Sequence, residues 1–213
     1  MDIKHDDDAR SQAGAIVLVG GRSSRMGEPK MALDFGGTPL LTRIVIELKR
    51  RFDEIVIVAA PDLSTTPRVP ITGVKVIHDD EAFQGPLEAL RRGLLALEHD
   101  VAFACSGDLA LLNAYVADAL VGMLDDFDAV IPEVGGKLQP LHAVYRRRCA
   151  SAIESLAAKG EKRLTANATT VNARRVPEQE LIVLDPELRS FFNVNTPEDY
   201  RRALALAGFA QPK

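Results

Sequence analysis

The residues best equipped for chemistry lie between Gly20 and Lys30. Two adjacent glycines, Gly20 and Gly21, lead into Arg22, Ser23, Ser24, Arg25, Gly27 and Lys30. Backbone N–H groups, hydroxyls and three cations in so short a run make a receptor for polyphosphate. Arg25 offers a planar fork for bidentate capture of phosphate oxygens. Lys30 is a point charge on a flexible stem, suited to charge that moves during a reaction. Residue types and spacing here suit a bound nucleoside triphosphate. The plain alternative, a solvated Gly-Ser-Arg loop, has no need of cations interleaved with glycines.

Acidic residues supply the complementary half. Asp108 ends Ser106-Gly107-Asp108, just past the apolar run Val101–Cys105. Mg2+ is commonly held by one or two carboxylates together with substrate phosphates, which makes Asp108 the metal candidate. The alternative is an Asp that caps the helix starting near Asn113 or steadies a turn. Taken alone the two readings weigh evenly; beside the phosphate loop the metal reading prevails. Asp79 and Asp80 follow another apolar run and suit ribose hydroxyls, a second metal contact or a solvated turn. A lone His142 is more often structural than catalytic and is given no proton-transfer role.

These groups need strand ends to hold them. Ala15–Val19 reads as a buried strand feeding the loop, and Ile55–Ala60, Val74–Ile77, Val101–Cys105 and Asp128–Pro132 as four more. A strand is also expected over Gln139–Tyr145, with short extended pieces at Met31–Phe35, Val171–Val176 and Leu181–Leu184. Helices are expected from Thr38 as N-cap to about Arg51, from Gly85-Pro86-Leu87 through Leu97, over Ala114–Leu124 and over Arg146–Ala158. A short helix falls within 161–168, and a last one opens at Thr196-Pro197, with Thr196 as N-cap and Pro197 at N1. Strand and helix alternate without an internal repeat. That order predicts one α/β domain over residues 13–213, with a mostly parallel central sheet and helices on both faces. Residues 1–12, polar and aperiodic, read as a disordered lead-in. Ligands of such sheets bind at the carboxyl ends of the strands, where the loop, Asp79 and Asp108 all fall.

Composition narrows the class further. The 213 residues are 46% hydrophobic and 26% charged, with a net charge of −4. A mildly acidic chain with local cations binds a small anion rather than a nucleic-acid polymer. Cys105 and Cys149 lack metal-ligand spacing and fit a reduced compartment; Cys105 reads as a buried small hydrophobe. No apolar run reaches the length of a membrane span, and the start lacks the pattern of a signal peptide, so a cytoplasmic protein is expected.

The common glycine fingerprints do not fit. Lys30 stands three residues after Gly27, unlike a P-loop lysine, and adjacent glycines break the dinucleotide pattern. GGRSSRMG followed by K-x-x-L instead resembles the loop of nucleotidyltransferases with a Rossmann-like, GT-A-like fold, and among them the MobA-like molybdenum cofactor guanylyltransferases. QPLHAVY (139–145) and FFNVNTPED (191–199) are similar to segments of the same family, so the resemblance runs from Leu18 to the last helix. It implies an enzyme joining GMP from GTP to Mo-molybdopterin with Mg2+ as cofactor and pyrophosphate as product. It implies nucleotide contacts at Leu18, Val19, Gly20, Gly21, Lys30, Asp79 and Asp108, with Arg25, Lys30 and Asp108 catalytic and Asp108 on the metal. Asn193 and Asn195, at alternate positions of an extended run, would face one way and suit a pterin or a terminal phosphate. The plain reading of Asn195 is helix entry. Molybdoenzyme apoproteins or their chaperones are the implied protein partners. The chain departs from the family pattern at Val19 (usually Ala), at Ala59-Ala60-Pro61 (often with an Asn), and at Leu109-Ala110 (usually with a proline two residues after the Asp). The alternatives are the same chemistry with CTP, or a nucleotide-binding partner of molybdoenzymes without turnover.

Overall fold

β1 (Gly14–Val19) is buried along its whole length, because its two faces enter two different cores. Ala15, Val17 and Val19 join one cluster and Ile16 and Leu18 the other, as the period-two geometry of a strand requires. A strand apolar on both faces belongs inside a sheet covered on both sides. A computed structural model describes residues 11–20, 30–60, 72–78 and 85–210.

β1 pairs in parallel with β2 (Ile55–Ala59) on one side and with β4 (Val101–Ser106) on the other. β3 (Val74–His78) extends the parallel block beyond β2. Past β4 the sheet becomes mixed. β7 (His142–Arg146) runs antiparallel to β4 and to β5 (Ala129–Val134), and β8 (Ala173–Val176) is parallel to β5. A two-residue β6 (Lys137–Leu138) completes the order β3-β2-β1-β4-β7-β5-β6, with β8 branching from β5. The expected single α/β unit with a mostly parallel sheet is what the chain forms.

One core face is covered by α1 (Leu40–Leu48), α3 (Ala114–Val121), α6 (Glu178–Leu184) and α7 (Pro197–Leu206). The other is covered by α2 (Pro86–Ala96), α4 (Cys149–Ala157) and α5 (Leu164–Asn167). Helix starts follow local chemistry. Gly85 enters α2 at φ +95°, a backbone shape that suits glycine, and Pro86 takes the first helical position. Thr196 caps α7 in a full capping box, its side chain accepting from the Asp199 N–H while the Asp199 carboxylate accepts from the Thr196 N–H.

Three local expectations change. Thr38 does not cap α1; Pro39 holds the N-cap place and the helix begins at Leu40. The 31–35 run is no strand: Lys30–Ala32 is a 3-10 turn, and only Asp34 bridges to Pro39. Residues 181–184 lie in α6, which buries only Leu181. No described helix is long and apolar enough to cross a membrane.

Candidate functional site

The carboxyl ends of β1, β2 and β4 are laced together. The Gly107 N–H donates to the Leu18 carbonyl (3.0 Å), and the Ala60 N–H donates to the Val19 carbonyl (3.1 Å). Leu18 and Val19 are themselves buried, so their contribution is to fix this rim through their backbone. Gly20 emerges exposed from the end of β1. Residues 21–29, including Gly21 and Arg25, lie outside the described residues, as does Asp79 directly after β3. Lys30 resumes the chain above Asp108.

Here three expected residues meet. The Lys30 ammonium lies 3.5 Å from Asp108 Oδ2 and donates to Asn195 Oδ1 at 2.9 Å. Both ion-pair side chains are mostly shielded, at 19% and 17% exposed, which strengthens their attraction over that of an open pair. The Ser106 hydroxyl donates to Asp108 Oδ1 at 2.6 Å, a charge-assisted bond that fixes the carboxylate plane. Asp108 does not cap α3, because Asn113 does so by accepting from the Tyr115 N–H.

The Asp108 backbone is equally fixed. Its carbonyl accepts from Val194 N (2.9 Å) and Ala110 N (3.1 Å), and Leu109 bridges Asn193. A proline at 110 would have no N–H to make the Ala110 bond. The bridge at Leu109 and the Val194 bond lay the 193–195 run beside Asp108, putting Asn195 on Lys30. The Asn193 amide instead donates to the Phe191 carbonyl of its own turn (3.2 Å). The two asparagine side chains therefore have different partners in this arrangement.

Two contributors lacked a sequence signal. Ser106 is one, because only the fold turns its hydroxyl onto Asp108. Asp199 is the other: beyond its part in the capping box, its carboxylate accepts from the Asn195 N–H (3.1 Å). Its pKa is held below the usual carboxylate range, first by the Thr196 hydroxyl and in part by the Lys30 charge. The capping box thus also holds the site's amide.

His142 is buried, edge-on to Phe103 and tilted over Phe191, its Nε2 3.4 Å from Ser190 Oγ. Burial lowers its pKa to about 3, so the ring is neutral near pH 7. Cys105 is likewise a buried hydrophobe, its thiol pKa raised by burial. A cleft of about 510 Å3 is lined by α1, residues 109–113 and the end of α7. Its arginines have structural partners: Arg43 lies over Phe35 and Phe209, Arg189 donates to the Leu206 carbonyl, and Arg50 donates to Glu47 and Tyr115.

No group of three or more potential metal ligands occurs among the described residues. A single carboxylate with a neighbouring hydroxyl still fits Mg2+, which completes its shell with substrate phosphates and water.

An ammonium, a carboxylate and an amide gather where parallel strands end, and the family match makes this a nucleotidyltransferase-class α/β domain. The chain belongs to the MobA-like NTP transferase domain family, which matches residues 15–174. It is 35% identical over 196 residues to a probable molybdenum cofactor guanylyltransferase of Methanosarcina acetivorans, covering 87% of both chains. It is 36% identical over 202 residues to another of Mycobacterium avium, covering 92% of this chain and 96% of that one. The crystal structure of molybdopterin-guanine dinucleotide biosynthesis protein A from Archaeoglobus fulgidus superposes with a TM-score of 0.77 over 92% of this chain and 98% of that one. At 24% identity this is a likeness of fold.

Proposed function

We propose that this chain transfers GMP from GTP to Mo-molybdopterin, giving the guanine dinucleotide cofactor and pyrophosphate. The observation that carries the reading is the meeting of Lys30, Asp108 and Asn195 at the rim where β1 and β4 end. The terminal phosphate of molybdopterin attacks the α-phosphorus of GTP, and the bond to the departing pyrophosphate breaks.

Gly20, Gly21 and the following N–H groups grip the triphosphate with Arg25, and Asp79 takes the ribose hydroxyls. Lys30 sits where it can follow negative charge onto the pyrophosphate. Asp108, held flat by Ser106, is the group to hold Mg2+, which when bound neutralises the transferring phosphate. Asn195 offers its amide to the incoming phosphate or pterin, with Asn193 as second contact once its amide leaves the Phe191 carbonyl. Delivery of the product to molybdoenzyme apoproteins or their chaperones in the cytoplasm completes the reading.

The test is pyrophosphate release with GTP, Mg2+ and molybdopterin, with CTP run in parallel. Release dependent on both GTP and molybdopterin supports the proposal. Preference for CTP assigns the cytidylyl reaction, which the missing Asn in Ala59-Ala60-Pro61 keeps as the second reading. Binding of GTP without release makes the chain a nucleotide-binding partner only.

A further inference from the structure

Gly107 does not need to be glycine for its backbone. It is absent from the positive-φ glycines of this chain, so an L side chain meets no conformational penalty there. What excludes a side chain is space. A Cβ at Gly107 would stand 2.6 Å from Met31 Sδ, 3.3 Å from Met31 Cε and 3.3 Å from Val19 Cγ2. The Met31 thioether therefore occupies the place that a side chain at 107 would take, with a Val19 methyl beside it.

The position matters because of the neighbours. Met31 follows Lys30 in the 3-10 turn Lys30–Ala32, and Gly107 precedes Asp108. Gly107 is anchored to β1 through its N–H on the Leu18 carbonyl. Seating Met31 on Gly107 thus ties the turn carrying the cation to the turn carrying the carboxylate, one residue after Lys30 and one residue before Asp108. Lysine has a long flexible stem, and a precise height above a carboxylate has to be imposed through its backbone.

We propose that Met31 is a positioning residue for nucleotidyl transfer, seated in the space left by Gly107 so that Lys30 is held over Asp108. The inference rests on the reading of Lys30 and Asp108 as the phosphate-handling pair. Lys30 can still reach a bound triphosphate if its turn shifts, so ground-state affinity survives. The alignment demanded where charge develops does not, and a displacement near 1 Å costs on the order of 100-fold in rate. A methyl at 107 would press on Met31 Sδ at 2.6 Å, and through it on the turn that carries Lys30.

The experiment measures kcat, KM for GTP and thermal melting for Gly107→Ala, Met31→Ala, Met31→Leu and the Gly107→Ala/Met31→Ala double variant, with Lys30→Ala alongside. Gly107→Ala and Met31→Ala should each lower kcat by about 10- to 100-fold with KM little changed. Met31→Leu, which keeps volume, should stay near wild type. The double variant should lose less than the product of the single losses, since the methyl then meets a shortened partner. If Gly107→Ala does not fold, Met31→Ala against Met31→Leu decides alone. Unchanged kcat in Met31→Ala while Lys30→Ala is crippled overturns the positioning role and leaves the site reading intact. Full activity in Lys30→Ala overturns the site reading itself.

Discussion

At the scale of the residue, Lys30 is the group whose loss should be felt twice. In the proposed reaction it touches phosphate before and during transfer, so Lys30→Ala should weaken GTP binding and turnover together. Equal GTP affinity and rate in that variant would leave Lys30 as no more than a partner of Asp108 and Asn195. His142 offers a different test. Its folded-state pKa of about 3 lies below the ordinary value near 6.5, so below pH 6.5 the unfolded chain takes up a proton that the folded ring refuses. This contribution to stability is therefore complete above about pH 6.5 and lost as pH falls towards 3, by an amount on the order of a few kcal/mol. Denaturant melts at about pH 7 and about pH 5 should show a shallower decline for His142→Phe than for wild type. An equally steep decline would place the titration elsewhere. The sequence made Lys30, Asp108 and Asn195 legible because ammonium, carboxylate and amide advertise their chemistry. Ser106 and Met31 were not legible, since their roles arise from contacts across 2 and 76 positions of chain that only the folded rim creates.

At the scale of the element, apolar strands carried most of the information. β1, β2 and β4 could be read within a residue or so of their ends because a continuous β-branched or apolar run has few other places to go. α6 was misread for the same reason: Leu181, Ile182 and Val183 look like a strand, yet Val183 is 80% exposed and the helix rides on Leu181. Pro177 followed by Glu178 and Glu180 is the helix-start signal that outweighs those propensities. Pairing partners were illegible too, because alternation in β7 says nothing of its antiparallel neighbours β4 and β5. α7 was read correctly at its cap, and the capping box gives it a measurable part. Thr196→Ala should cost about 1 kcal/mol in thermal or denaturant melts. It should also lower turnover, because Asp199 holds the Asn195 N–H. Full turnover with the expected loss of stability would show that the cap serves only the helix. Phe103 in β4, stacked on Phe52 at 5.9 Å and edge-on to His142, tests the core beneath the rim. Phe103→Ala should destabilise by about 3–5 kcal/mol, and a loss under about 1 kcal/mol would mean the ring stack is not the packing it looks like.

At the scale of the whole molecule, the fold places distant stretches on one rim. β1 delivers the loop, β4 delivers Asp108, and the run before α7 crosses back to lay Asn195 on Lys30, 165 positions away in sequence. Two cores, one on each face, hold the parallel strands so that their carboxyl ends cannot drift apart. The claim on which the account turns is that this rim performs the transfer, with Asp108 as its metal-holding carboxylate. The most direct measurement is Mg2+-dependent pyrophosphate release from GTP and molybdopterin by Asp108→Asn beside wild type, at limiting Mg2+. The account predicts a protein that melts normally and loses activity by roughly two or more orders of magnitude, because metal neutralisation of a transferring phosphate is worth several kcal/mol. Part of that activity should return as Mg2+ is raised. Near wild-type turnover in Asp108→Asn at limiting Mg2+ would contradict it.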